Sequence, residues 1–331
     1  MTRALFITTE TNNCDPVVDS WTVRPAGDEA ASAVGGPAGD EAVRRGVRFK
    51  YWCEGHRRDG DMTLVAERLA SGAHVPEGWP LPEREGRPDW RGLDVVFYIG
   101  ACVAPGNPGI DTLGMIGRAA PLVHICFDGG DSPWWPVMRR YRQAGVFRLQ
   151  VNIDGADCPE ADMTTLCPVD PRPYDAVVDV LERDIALGFS GNLGSGLRQQ
   201  IATSLMQEAD LVVRPRSGLE TADYADYARF MRRCRAVVNI PVSGTGQYLH
   251  VKARVVEAGL AGAAVLDHEA SPSHKWFPGA IIPYRGETLV DVARGLTQAQ
   301  VADAAGRLSE AVRARHMPWH FWDAVCGRVG L

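Results

Sequence analysis

The stretch 236–268, AVVNIPVSGTGQYLHVKARVVEAGLAGAAVLDH, leaves this chain the least freedom. It opens on a short β-branched apolar run at 236–240, the pattern of a buried parallel strand. A loop of small residues follows, with Ser243, Gly244, Thr245 and Gly246. Val251, Val255, Val256 and Leu260 then recur at helical spacing, Gly262 closes the helix, and 263–266 reads as the next buried strand. The result is a β-loop-α-β unit whose loop lies at the carboxyl end of its first strand, where open α/β sheets bind ligands.

The polar residues of this unit are few. Lys252 falls at the helix start, where free N–H groups and the helix dipole favour an anion. Arg254 and Glu257 lie three apart and share a helix face. A hydroxyl- and glycine-rich loop, a lysine and a downstream glutamate can hold a nucleoside diphosphate: loop and lysine take the phosphates, and the carboxylate accepts from the ribose hydroxyls. The same residues also fit a solvated lysine beside an Arg254–Glu257 pair that steadies the helix by about 0.2–0.5 kcal/mol. Residue chemistry alone leaves both readings open.

A second strand-turn-helix unit precedes it. The run 185–190 predicts a strand; Gly191, Asn192, Leu193, Gly194, Ser195 and Gly196 form a glycine-rich turn; Leu197, Ile201 and Leu205 mark a helix face. Such a turn either serves as a tight connection or brings backbone N–H groups to a phosphate, with Arg198 in the first helical turn as a further contact.

In the first half, strands are predicted at 3–8, 47–52, 93–99, 122–127 and 146–153, with a helix near 112–119. His124, inside an apolar strand, reads as a core histidine. The run DGGDSPWW at 128–135 sets Asp128 and Asp131 at the carboxyl end of a buried strand beside Trp134 and Trp135. Ser132 is the expected N-cap of a helix entered at Pro133. Capping does not explain both aspartates, and indole faces with carboxylates suit a sugar-binding or acid/base site. The segment 154–174 carries four prolines and no periodicity, so it is expected to be the interdomain linker. The duplicated PAGDEA at 25–30 and 37–42 is too short for a solenoid, and 54–92 reads as an irregular connection with one helix near 64–69.

At 331 residues the chain exceeds one comfortable core and predicts two domains. Its 35 basic and 41 acidic residues, net −6, argue against non-specific nucleic-acid binding. No leader and no apolar run of spanning length is visible. Eight cysteines without a C-x-x-C pair fit a reducing cytoplasm. H-E-x-x-H, G-x-S-x-G and G-x-x-x-x-G-K-[ST] are all missing, and no metal-binding cluster is expected.

FSGNLGSGLRQQIATSL, YARFMRRCRAVVNI and the pattern K-x-R-x-x-E-x-x-x-x-G-A-x-V-L together resemble the carboxyl-terminal domain of group 1 glycosyltransferases. DGGDSPWW and the ending RHMPWHFWDAV resemble segments of the spore-maturation CgeB-like branch. The resemblance covers 120–328 and is strongest over 185–296. It implies a GT-B architecture, two Rossmann-like domains facing each other across a cleft: an acceptor domain at 1–168, a donor domain at 169–315, and a terminal helix at 316–331 packing back on the first. By position Gly191 and Gly194 match the glycine turn near the donor phosphates, with Asn192 and Arg198 beside it. Thr245, Gly246 and Lys252 match the phosphate loop, and Glu257 the ribose-binding glutamate. One departure is Leu249, where many retaining members carry a second glutamate.

The implied activity is metal-independent transfer of a sugar from a nucleoside-diphosphate donor to an acceptor in the interdomain cleft, with no cofactor besides that donor substrate. The acceptor is a sugar, glycan, protein or small molecule, and Asp131, then Asp128, are the candidate bases. An epimerase acting on the same donor, or a catalytically lapsed nucleotide-sugar-binding protein, are the alternatives.

Overall fold

The computed structural model describes residues 2–8, 45–52, 94–99, 110–174, 179–191, 196–215, 224–242 and 248–331. The PAGDEA repeats, the 54–92 connection and four candidate site residues, Asn192, Gly194, Thr245 and Gly246, lie outside them.

Apolar runs buried on both faces set the framework. In β3 (Val95–Ile99) and β4 (Leu122–Cys126) every residue is buried, as parallel strands covered by helices require. With β1 (Thr2–Thr8), β2 (Arg45–Trp52), β5 (Leu149–Asn152) and β6 (Met163–Thr164) they form a parallel sheet of order β2-β1-β3-β4-β5-β6. α1 (Ile110–Ala119) and α2 (Trp135–Ala144) are connections of this sheet.

The second sheet, also parallel, runs β11-β10-β9-β7-β8. Its strands are β7 (Ile185–Gly191), β8 (Leu211–Pro215), β9 (Cys234–Val238), β10 (Ala264–His268) and β11 (Ile282–Tyr284). Between and after them come α3 (Gly196–Glu208), α4 (Tyr224–Arg233), α5 (Ala253–Ala261), α6 (Ser273–Trp276), α7 (Leu289–Gly295) and α8 (Gln298–Arg315). The last helix is α9 (Pro318–Val329).

The chain divides into two compact units, one of 1–165 with 318–331 and one of 166–317. In the first, α9 buries Trp319, Phe321, Trp322, Val325 and Cys326, and the Trp322 ring meets Phe97 edge-on at 5.1 Å. His124 is fully buried in an aromatic stack, 4.9 Å from Phe147 and 5.5 Å from Tyr98. In the second unit α5 packs closely on α8: a Cβ at Gly259 would lie 2.5 Å from Val312 Cγ2. The Thr297–Gln300 capping box fixes the start of α8. Arg183, 3% exposed, donates to the carbonyls of Cys234 (2.9 Å) and Ala261 (2.6 Å), tying the start of β9 to the end of α5.

The boundary between the two units, at 165/166, falls inside the predicted linker 154–174. That segment is ordered: it contributes β6 to the first sheet and buries Asp154, Ala156, Cys158, Leu166, Cys167, Val169 and Tyr174. Its backbone is satisfied by loop hydrogen bonds, such as Gly155 N–H to Thr165 O, which leave no periodicity to read. α4 ends at Arg233, and Cys234 opens β9.

Candidate functional site

Numbered within its unit, the second sheet has the order 5-4-3-1-2, so the chain leaves β7 in one direction for β8 and in the other for β9. Such a reversal opens a crevice beyond the carboxyl ends of the two central strands, the place where doubly wound sheets bind ligands. Ser190 and Gly191 end β7, and Asn239 follows β9 directly.

Arg254, in the first turn of α5, reaches both strand ends. Its Nη1 donates to Asn239 Oδ1 at 3.3 Å and its Nη2 to the Ser190 carbonyl. The guanidinium lies over the Phe189 ring, 4.8 Å from its centre. A Cβ at Gly191 would stand 2.8 Å from Nη2, which explains why the turn begins on glycine.

Two more cations share this place. Arg198, in the first turn of α3, donates to the Val242 carbonyl at 2.5 Å; burial, then the Arg254 charge, hold its guanidinium below the ordinary value. Lys252 occupies the N-cap position of α5 in extended backbone, and a lysine has no acceptor to give the first N–H groups. The buried His250 registers the field: desolvation, then Lys252 and Arg198, hold its imidazole well below the usual range. The Val242–Leu249 antiparallel bridge and the bond from His250 N–H to the Pro241 carbonyl (3.1 Å) bring the two ends of the 243–247 loop together here.

One turn along α5, Glu257 is 6% exposed and turns toward α4. Tyr224 Oη donates to Oε1 at 3.2 Å and Tyr227 Oη to Oε2 at 2.5 Å, while Tyr174 Oη donates to Tyr224 Oη at 3.0 Å. Burial, then the Glu257 charge, push all three phenols well above their ordinary value, so they serve as neutral donors. Tyr227 meets Arg254 as well as Glu257, and that cation opposes the rise without cancelling it. Gly191, Arg198, Lys252 and Glu257 fall on the elements that frame the switch point. The tyrosines and Asn239 escaped sequence reading, although Tyr224-x-x-Tyr227 is one face of a helix.

In the first unit, Asp128 and Asp131 follow β4. Asp131, 2% exposed, occupies the N-cap position of a short 3-10 turn at Ser132–Trp134, and α2 starts only at Trp135. Ser132 is exposed and is not the cap, because the bonds from Asp131 N–H to Asp128 O (3.0 Å) and Trp134 N–H to Asp131 O (2.9 Å) tighten the chain one residue earlier. Trp135 Nε1 donates to the Gly129 carbonyl at 3.0 Å, and both indoles pack on Cys126, Met138 and Cys158.

A third carboxylate stands behind this loop. Asp154, 3% exposed, accepts from Gly130 N–H (3.0 Å), Asn152 Nδ2 (2.7 Å) and Ala156 N–H (3.0 Å). Desolvation outweighs these donors and, with a smaller push from Asp128, raises its pKa to about 6. Sequence reading placed Asp154 in the linker and missed it.

Among the described residues no cluster of His, Cys, Asp and Glu could hold a metal ion, and no helix is long and apolar enough to cross a membrane. No family model matches the sequence, and no curated protein matches it. Solved structures do. A glycosyltransferase from Rickettsia africae aligns over 99% of both chains with a TM-score of 0.57 at 8% identity. Anabaena HepE in complex with UDP and glucose aligns over 99% of both with 0.56 at 11%. The N-terminal domain of Candida albicans trehalose-6-phosphate phosphatase covers 100% of this chain and 97% of its own, with 0.54 at 9%. Two parallel α/β units and these full-length matches establish that the chain has the GT-B fold of glycosyltransferases.

Proposed function

We propose that the chain is a group 1 glycosyltransferase, of the CgeB-like branch its DGGDSPWW and terminal motifs resemble, taking a nucleoside-diphosphate sugar as donor. The observation that carries this reading is the gathering of Arg198, Lys252 and Arg254 at the β7/β9 switch point, with Glu257 one turn further along α5. Like charges close together repel, and a bound diphosphate would offset that repulsion. By its resemblance to the ribose-binding glutamate, Glu257 is the residue assigned to the donor ribose. HepE, solved with UDP-glucose, binds a donor of this class.

In the reaction the bond from the sugar's anomeric carbon to the diphosphate oxygen breaks and its electron pair leaves with the diphosphate. An acceptor oxygen forms the new bond, and its proton passes to a base. Arg198, Lys252, Arg254 and the loop amides at Gly191, Asn192, Gly194, Thr245 and Gly246 stabilise the charge on the leaving diphosphate. Asp131 and Asp128 of the first unit are the candidate bases. The five described cysteines, all free thiols, fit a cytoplasmic setting.

A second reading rests on Leu249, a half-buried apolar residue where many retaining relatives carry a carboxylate. It describes a nucleotide-sugar binder without transfer, and release of nucleoside diphosphate from the donor in the absence of acceptor separates the two. The first test is a thermal-shift screen of UDP, GDP, ADP, CMP and dTDP on wild type and Lys252→Ala. A ligand at a hundred times its Kd stabilises the fold by about 2.7 kcal/mol. One nucleotide should shift wild type and lose its effect in the variant; no shift with any of them removes the donor site.

A further inference from the structure

We infer that Asp267 is a positioning residue for Arg254: it turns the Asn239 amide so that the amide oxygen faces the guanidinium and aims Arg254 at the β7/β9 switch point. This role rests on the donor-site reading above, to which it adds what orients one of the three cations.

Strand register brings the two side chains together. β9 and β10 are parallel, Val238 pairs with Leu266, and Asn239 N–H donates to the Leu266 carbonyl at 2.8 Å. Asn239 and Asp267 are therefore the next residues along two adjacent strands, and both are fully buried. Tyr284 Oη, from β11, donates to the Asn239 carbonyl at 2.9 Å and fixes the backbone there. Asn239 Oδ1 accepts from Arg254 Nη1 at 3.3 Å.

Asp267 is surrounded by donors. Its Oδ2 accepts from Ser271 Oγ at 2.7 Å and from Ser273 Oγ at 2.6 Å, and its Oδ1 from His268 N–H at 2.8 Å. An ionised carboxylate offers about four acceptor sites, so three donors leave one for the Asn239 amide. Burial pushes the Asp267 carboxyl up, while Ser273, then Asn239, Ser271 and the His268 N–H hold it down. Among the described residues no closer partner takes the buried Asn239 Nδ2.

Charge decides which way the amide points. An asparagine side chain accepts at one end and donates at the other. Here a cation faces the oxygen and an anion lies on the Nδ2 side. The reverse orientation would set an NH2 group against a guanidinium and an oxygen against a carboxylate, in a buried place with little screening. Arg254 is also held by the Ser190 carbonyl, the Phe189 face and Tyr227, so Asn239 sets the aim of Nη1 while these others keep the side chain in place.

The test is a double-mutant cycle: calorimetry with UDP, GDP and ADP on wild type, Asp267→Asn, Arg254→Met and the two combined. Asparagine keeps the size of the side chain and removes its charge, and ligand-free melting temperatures report any general loss of structure. Arg254→Met should weaken the nucleoside diphosphate that wild type binds by about tenfold or more, and Asp267→Asn by about fivefold. Beside Arg254→Met, the step Asp267→Asn should change Kd by less than about twofold. A merely structural role would cost the same factor in both backgrounds and overturns the inference, as does an Asp267→Asn chain that binds like wild type. Asn239→Ala, which leaves Asp267 and its hydroxyl partners intact, gives a second arm: it should weaken binding in wild type and not beside Arg254→Met. An equal loss in both backgrounds overturns the relay even where Asp267→Asn does not fold. If wild type binds none of the three nucleotides, or Arg254→Met binds like wild type, the donor-site reading has failed and the inference with it.

Discussion

Asp154 ties the stability of the first unit to pH in a direction opposite to that of most carboxylates. Its folded pKa of about 6 lies above the unfolded value of 3.8. The folded state therefore binds the proton more tightly, and the stabilisation is fully present below pH 3.8 and lost as pH rises through 6. A shift of about two units corresponds to about 3 kcal/mol, of which about 2 kcal/mol falls between pH 4.5 and 7.5. Three donors, from Gly130, Asn152 and Ala156, favour the ionised form, so the sign depends on burial outweighing them.

Asp154→Asn provides the reference, because an amide does not titrate. The fixed cost of the substitution cancels when the wild-type minus variant difference is followed across pH. Urea unfolding monitored by tryptophan fluorescence, at one-unit intervals from pH 4.5 to 7.5, should show wild type losing about 2 kcal/mol relative to the variant as pH rises. A flat difference would refute the burial argument. A slope of the opposite sign would show that the three donors hold the carboxyl below 3.8.

Arg183→Met removes two charge-assisted bonds to backbone carbonyls and should cost the second unit about 2–4 kcal/mol by urea unfolding. Gly188→Ala places a Cβ 2.3 Å from Cys234 Sγ, so it should destabilise by about 1–3 kcal/mol, and Cys234→Ala in the same chain should restore part of that. Trp322→Ala empties a fully buried site against Phe97 and should lower the stability of the first unit by about 3–5 kcal/mol.

Sequence patterns exposed those parts of the fold that repeat. The 236–268 unit and the strands at 93–99 and 122–127 carry the period of their element, and each is present. The segment 154–174 was legible as the join between the units, but its burial was not, because it follows side-chain acceptors and isolated loop bonds, which have no period. Of the site, the residues on α5 were legible from their place beside the helix start, whereas Tyr224, Tyr227 and Asp154 act across 33, 30 and 24 residues of sequence. The hydroxyl bond of Tyr227 to Glu257 depends on how α4 meets α5, which one sequence does not display.

The two units carry opposite charge at the carboxyl ends of their parallel strands. Both sheets are parallel and both reverse direction beside their first strand, β1/β3 in one and β7/β9 in the other. Around the carboxyl ends of β4 and β5 the first unit gathers Asp128, Asp131 and Asp154; around those of β7 and β9 the second gathers Arg198, Lys252 and Arg254. The proposed glycosyl transfer gives this division a use. Negative charge accumulates on the departing diphosphate while a proton is released at the acceptor, so one side of the reaction needs cations and the other a base. On the proposed function, Asp128 and Asp131 serve the proton and the Arg198–Lys252–Arg254 group serves the diphosphate. Neutralising a carboxylate should then lower turnover without changing nucleotide affinity, whereas Lys252→Ala should change affinity first, and the same effect from both would separate the charge pattern from the chemistry.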